Sequence, residues 1–259
     1  MIGLVLAAGL LGLLIGSFLN VVIHRVPRDE SIVRPRSRCP QCGMELQARD
    51  NVPVVSWLVL RGRCRGCGTR ISVRYPLVEL GTALLFGAVA AWCGLAWQLP
   101  AYLYLAAIGV ALSAIDLDVR RLPDKIVLPS YAVALGLLLL PAVIEGEWNA
   151  YLRAAVTGLA LFAFYFLLAV IYPAGMGFGD VKLAGVLGIY LGFYSWGLAI
   201  IATFLAFLIG SLVGLVVMVR SRQGRKTKVP FGPFMMLGTF LALFFGQPVI
   251  DWYVSSLGL

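Results

Sequence analysis

Long apolar runs separated by short polar ones dominate the chain. Eight such runs lie near residues 3–23, 77–97, 100–116, 126–143, 153–172, 181–196, 197–219 and 231–249. A bilayer crossing takes roughly 20 predominantly apolar residues as a helix, so the pattern predicts eight transmembrane helices. The run 181–196 is the shortest and enters 197–219 almost without a break. Between the first two runs the periodicity stops, and residues 25–76 read as a separate small domain. The expected organisation is a first helix over 1–24, a domain over 25–76, and seven helices over 77–259. The fold class is an all-α polytopic membrane protein.

Composition agrees with this pattern, since 61% of residues are hydrophobic and only 13% are charged. The first run carries no positive n-region and is followed by "HRVPR", so it reads as an uncleaved span with its N-terminus outside. Charge then sets the topology. Of 21 Lys and Arg residues, 11 fall between Arg25 and Arg74, three in "VRRLPDK" (119–125) and five in "RSRQGRKTK" (220–228). The positive-inside rule places all three segments in the cytoplasm, and Lys182 adds one more beside the 173–180 loop. Only Arg153 falls on the other side, near the acidic "EGEW" (145–148). Eight spans with both termini outside satisfy every segment. The net charge of +9 is then explained by loops facing anionic headgroups of the lipid bilayer, and no nucleic-acid partner is expected. No inverted repeat of the transporter kind is visible.

Residues 25–76 hold two cysteine pairs, "CPQCG" (39–43) and "CRGCG" (64–68). Each C-x2-C turn points two sulfurs at one centre, and Gly43 and Gly68 let backbone amides approach them. Cys39, Cys42, Cys64 and Cys67 are therefore the expected ligands of one structural zinc ion. The metal would supply folding energy to a segment with few core hydrophobes. Two disulfides are the competing reading, and a cytoplasmic location argues against them. Cys93 lies within the second span and has no assigned role. His24, the single histidine, reads as an interfacial residue and leaves no Ser-His or Cys-His system that needs a second histidine.

Charged residues inside apolar runs need a use or a partner. "GMGFGDVKLAG" (175–185) sets Asp180 at the start of the sixth run, and "SAIDLDVRRLPD" (113–124) sets Asp116 at the end of the third. In the eight-span topology both fall at the cytoplasmic face. Asp118 and Asp124 are rival partners for Asp180. Positions 116 and 118 point about 200° apart on a helix, and Asp118 and Asp124 sit among Arg120, Arg121 and Lys125, where exposed ion pairs account for them. Asp116 is the better partner. Taken singly, Asp180 could cap its helix and Asp116 could reach water at the interface. Gly175, Gly177 and Gly179 remove side chains where a substrate backbone would approach, with Lys182 beside them. Two adjoining carboxylates share one proton, so one can activate water as a base while the other polarises a scissile carbonyl as an acid.

These residues resemble a known family. "GFGD" (177–180) fits the G-x-G-D signature of intramembrane aspartyl peptidases, and "GFGDVKL" is similar to the form in bacterial type IV prepilin peptidases. The resemblance continues in order through "GSFLNVVIHRVP" (16–27), "SRCPQCG" (37–43), "NVPVVSWLVLRGRCRGCG" (51–68), "RYPLVEL" (74–80), "IDLDVRRLPD" (115–124) and "VPFGPFMMLG" (229–238). It implies an inner-membrane enzyme that cleaves the basic leader from prepilins and pseudopilins at the cytoplasmic face. It also implies methylation of the new N-terminal residue from S-adenosylmethionine. The family's catalytic aspartates match Asp116 and Asp180, and its zinc cysteines match the four named above. Some members lack the cysteine pairs, so the chain resembles the bifunctional branch. No strand, glycine-rich loop and helix unit marks a methyl-donor site. Glu79, early in the second span, is a candidate participant there, with a snorkelling interfacial acid as the alternative. The rival function is a proton- or cation-coupled transporter with an intramembrane acidic pair.

Overall fold

The computed structural model describes residues 1–39, 41–173, 175–220 and 229–256, the side chain of Ala48 excepted. Among the described residues it is all-helical, with no strand beyond two isolated bridges in the cysteine turns. The helices are α1 (Ile2–Arg25), α2 (Val55–Val59), α3 (Arg74–Cys93), α4 (Leu99–Val119), α5 (Asp124–Ile144), α6 (Trp148–Ile171), α7 (Phe178–Tyr194), α8 (Trp196–Arg220) and α9 (Gly232–Ser256). The chain forms two compact units, Met1–Ala111 and Leu112–Leu259, and the boundary falls within α4.

Among the described residues, seven helices are long and apolar enough to cross a membrane: α1, α3, α4, α5, α6, α8 and α9. The expected 181–196 span corresponds to α7, a helix of 17 residues that falls short of the length of the others. A helix wrapped by other helices does not need the long lipid-facing stretch that a peripheral span needs. In α7, Val181 and every residue from Leu183 to Phe193 are buried, against neighbours α5, α6, α8 and α9. A helix apolar on all sides belongs in such a centre. The basic run that follows Arg220, residues 221–228, lies outside the described residues, as do the last three residues.

Small residues bring the helices together, as expected where lipid removes the hydrophobic drive between them. In the first unit α1 lies on α3 through Gly12 and Gly16. A Cβ at either position would stand 2.7 Å from the Cα of Ala83 or Glu79. In the second unit α6 and α7 meet backbone to backbone, and a Cβ on Gly188 would lie 2.8 Å from the Cα of Gly158. Arg153, the exception in the charge pattern, has a packing role. Its guanidinium donates to the carbonyls of Gly192 at 2.7 Å and Tyr194 at 2.8 Å. Those are orphan acceptors at the end of α7, where a cation also suits the helix dipole.

Candidate functional site

The two aspartates singled out by charge and depth both lie in the second unit. Asp116 is in the last turn of α4 and is only 5% exposed, next to the fully buried Ile115. Arg120, in the left-handed region at φ 52°, follows the end of that helix. Asp180 is the third residue of α7 and half-buried. Leu122 lies beside both Gly179, the neighbour of Asp180, and Gly232, which adjoins Asp116. Each carboxylate is anchored by a glycine amide. The Gly232 N–H donates to Asp116 Oδ2 at 3.0 Å, and the Gly177 N–H donates to Asp180 Oδ2 at 3.3 Å. Asp180 is thus a cap as well as a member of the pair. Its bond to Gly177 is the reciprocal half of a capping box and occupies one of its two oxygens.

Three helix ends converge to hold this arrangement. Leu122, buried in the link between α4 and α5, sits where a side chain on Gly179 or Gly232 would go. A Cβ on Gly179 would lie 3.0 Å from Leu122 Cβ, and one on Gly232 would lie 2.8 Å from Asp116 Oδ2. Tyr165 of α6 stacks on Phe207 of α8, and Phe207 packs against Phe231, the residue before α9, with centroids 5.7 and 5.1 Å apart. That aromatic cluster fixes the start of α9 and hence the amide that holds Asp116. On α7, Lys182 pairs with both oxygens of Asp124, at 2.7 and 2.8 Å, and lies 4.9 Å from the centre of the Phe178 ring. The Tyr131 hydroxyl donates to the Lys182 carbonyl at 2.6 Å, tying α5 to α7 one turn beyond the loop.

The rival aspartates are separated from the pair. Asp118 is exposed, and Asp124 faces Lys182. The pairing of Asp124 with Lys182 of α7 is not foreshadowed by sequence proximity. In the loop, the space left by the glycines is met by this chain's own groups. A Cβ on Gly175 would stand 2.1 Å from the Tyr172 ring, and one on Gly177 would stand 3.3 Å from Asp180 Oδ2. Gly232, Leu122 and Tyr131 carry no chemical signature and were missed.

In the first unit the four cysteines come together. Their sulfurs lie within 4.8 Å of one another, and Cys39 Sγ is 3.8 Å from Cys67 Sγ. A tetrahedral ion with Zn–S bonds of about 2.3 Å spaces its sulfurs roughly 3.8 Å apart, so the donor set fits. The two turns repeat one another. Cys39 N–H donates to the Met44 carbonyl and Cys64 N–H to the Thr69 carbonyl, while Gly43 and Gly68 stand at φ 71° and 68°. Those positive angles are a backbone reason for both glycines, beyond the access of amides that the spacing suggested. Amides of Cys42 and Gln41 aim at the Cys39 sulfur and pull its thiol down to about 6. Cys67 goes the other way. The Thr69 N–H pulls it down, but burial and the three neighbouring sulfurs push it up to about 11. A divalent cation is the group that lets four crowded sulfurs ionise together.

Glu79 is buried on α3, and its Oε2 accepts the Val54 N–H at 2.7 Å, with Ser17 as a second partner. Val54 stands at φ 60°, a conformation costly for a β-branched residue. The carboxylate holds that backbone in place.

Two carboxylates at the ends of apolar helices are thus each held by a backbone amide. Comparison with known proteins names the lineage. Residues 10–93 match the Bacterial Peptidase A24 N-terminal domain and residues 103–219 match the Type IV leader peptidase family. The chain is 38% identical to a Prepilin leader peptidase/N-methyltransferase of Stutzerimonas stutzeri, covering 97% of this chain and 94% of the relative. It is also 38% identical to the protein of that name from Pseudomonas aeruginosa, over 98% and 94% of the two chains. One from Myxococcus xanthus is 42% identical over 84% of this chain and 64% of the relative. The chain belongs to the type IV leader peptidase family. No solved structure matches it. The transporter reading finds no support among these relatives.

Proposed function

We propose that the chain is a membrane aspartyl endopeptidase that removes the basic leader from prepilins and pseudopilins, with Asp116 and Asp180 as the proton-sharing pair. The observation that carries this reading is the pair itself: two carboxylates from helices α4 and α7, each anchored through Oδ2 by a glycine amide, with Leu122 packed beside both Gly179 and Gly232. One aspartate takes a proton from water as the water attacks the scissile carbonyl, and the other donates a hydrogen bond to the carbonyl oxygen. The pair then returns the proton to the leaving amine. Titration belongs to the pair and not to either member. Gly175 and Gly177 in the loop, with Gly179 and Lys182 in the first turns of α7, flank the path of the substrate backbone.

The substrate's chemistry fits the topology proposed for the chain. Eight spans, with α7 as the sixth, both termini outside and the basic segments in the cytoplasm, put Asp116 and Asp180 at the cytoplasmic face of the inner membrane. A prepilin inserts an apolar helix and leaves its basic leader at that same boundary. Residues 25–76 form the module held by one zinc ion on Cys39, Cys42, Cys64 and Cys67. The relatives' shared name supports a second activity, N-methylation of the new terminus from S-adenosylmethionine. No residue here is assigned to the methyl donor, and Glu79, engaged with Val54, keeps the role of a candidate. Detergent-solubilised protein incubated with a model prepilin tests the reading. A mass loss equal to the leader is expected, and an intact prepilin after long incubation with folded enzyme contradicts it.

A further inference from the structure

Helix α2 turns an apolar face outward. Val55, Leu58 and Val59 are 56%, 61% and 71% exposed, and their spacing puts them on one side of the helix. The opposite side is fastened down. Ser56 is buried, its hydroxyl donates to the Arg49 carbonyl at 2.8 Å, and Trp57 Nε1 donates to the Ile71 carbonyl at 3.2 Å. The module therefore builds a rigid five-residue helix whose outward face is greasy.

The depth of this face follows from the Glu79 contact. Glu79 lies five residues into α3 from Arg74, or about 8 Å along the helix axis, and its side chain leans back toward the N-terminus. It holds Val54, the residue before α2, at 2.7 Å. The start of α2 is thus fixed level with the first turns of a membrane-spanning helix, where headgroups meet acyl chains. Around it, residues 25–74 carry eleven arginines against four acidic residues.

We infer that α2 is an interfacial wedge: Val55, Leu58 and Val59 insert at the headgroup boundary of the membrane that α1 and α3 cross, and the arginines bind its anionic lipids. Apolar side chains backed by basic ones are the composition that seats a helix in that zone, and each arginine near an anionic surface adds to the attraction. A basic prepilin leader is repelled by the same arginines. A second copy of the module repels its like, and three side chains cover far less than the roughly 800 Å² per partner of a stable interface. The wedge would hold the cysteine module flat on the bilayer and stop it from swinging on its tethers.

The test replaces Leu58 with the photo-crosslinker p-benzoylphenylalanine in the full chain, reconstituted in nanodiscs of phosphatidylglycerol or of phosphatidylcholine. Mass spectrometry then reads the adduct, and zinc content checks that the module is folded. A phosphatidylglycerol adduct is expected, falling several-fold in phosphatidylcholine. Adducts to a second copy, adducts to added model prepilin, or no adduct in protein that retains its zinc would each overturn the proposal. If the Leu58 variant loses zinc, the same probe at Val59, the most exposed of the three, decides between the same outcomes. The measurement does not involve cleavage, so it stands or fails independently of the proposed peptidase reaction.

Discussion

The cysteine module and the second unit, Leu112–Leu259, solve the problem of holding polar groups in place in opposite ways. In the module the groups lie close in sequence. Two cysteines sit three positions apart, a glycine follows each pair at positive φ, and the turn closes on its own hydrogen bonds. In the second unit the carboxylates come from helices distant in sequence, and their positions depend on a leucine wedge, a third helix's amide and an aromatic cluster. The first design is local and tolerates changes elsewhere. The second is distributed, so small volume changes far from the carboxylates in sequence move them.

The largest expected effect tests whether the two regions are separable. Cys39→Ser should drop zinc from one per chain to a trace by elemental analysis, because structural sites bind with about 10 kcal/mol or more and three thiolates do not close a tetrahedron. Leader cleavage should persist, since Asp116 and Asp180 belong to the other unit. Parallel loss of zinc and cleavage would break the contrast.

A smaller effect tests the distributed design. Gly232→Ala adds a single methyl that would meet Asp116 Oδ2 at 2.8 Å and Leu122 at 3.3 Å. Displacing a catalytic group by about 1 Å costs on the order of 100-fold in rate, so cleavage should fall by about that factor in protein of normal yield. Wild-type turnover would show that the site takes up the methyl without moving Asp116.

How much of this was legible in the sequence follows the same divide. The cysteine turns could be read from spacing because ligand geometry acts over four residues. Asp116 and Asp180 stand out by charge and depth because a carboxylate in an apolar run is costly. The helices followed from apolar length, save that α7 is shorter than a lipid-facing span, a consequence of its central place in the bundle. Gly232, Leu122 and Tyr131 could not be chosen, because packing against a distant helix leaves no periodic or chemical trace. Lys182 was noticed as a charge, but its partner Asp124 depends on how α5 approaches α7, which sequence neighbours do not record.

Two modest changes sharpen the comparison further. Val54→Gly should stabilise the module by about 1 kcal/mol, since glycine adopts φ 60° without strain; slower zinc loss to a chelator would register it, and faster loss would show that Val54 is unstrained. Lys182→Met removes an ion pair whose acidic partner is half exposed. Such pairs contribute roughly 0.2–1 kcal/mol, so thermal unfolding should shift slightly and cleavage should change by no more than a few-fold. A loss as large as that of Gly232→Ala would promote Lys182 from support to machinery.

The most direct measurement compares leader cleavage by Asp116→Asn, Asp180→Asn and the double variant, each purified at wild-type yield with its zinc retained. An amide is neither a base nor a carrier of the shared proton. Each single variant should therefore lose cleavage to the same background, and the double should be little worse, because residues that act as a unit are not additive. Asp118→Asn, on the exposed side of the same helix end, should stay active. A stable Asp180→Asn protein that cleaves prepilin at the wild-type rate would contradict the account.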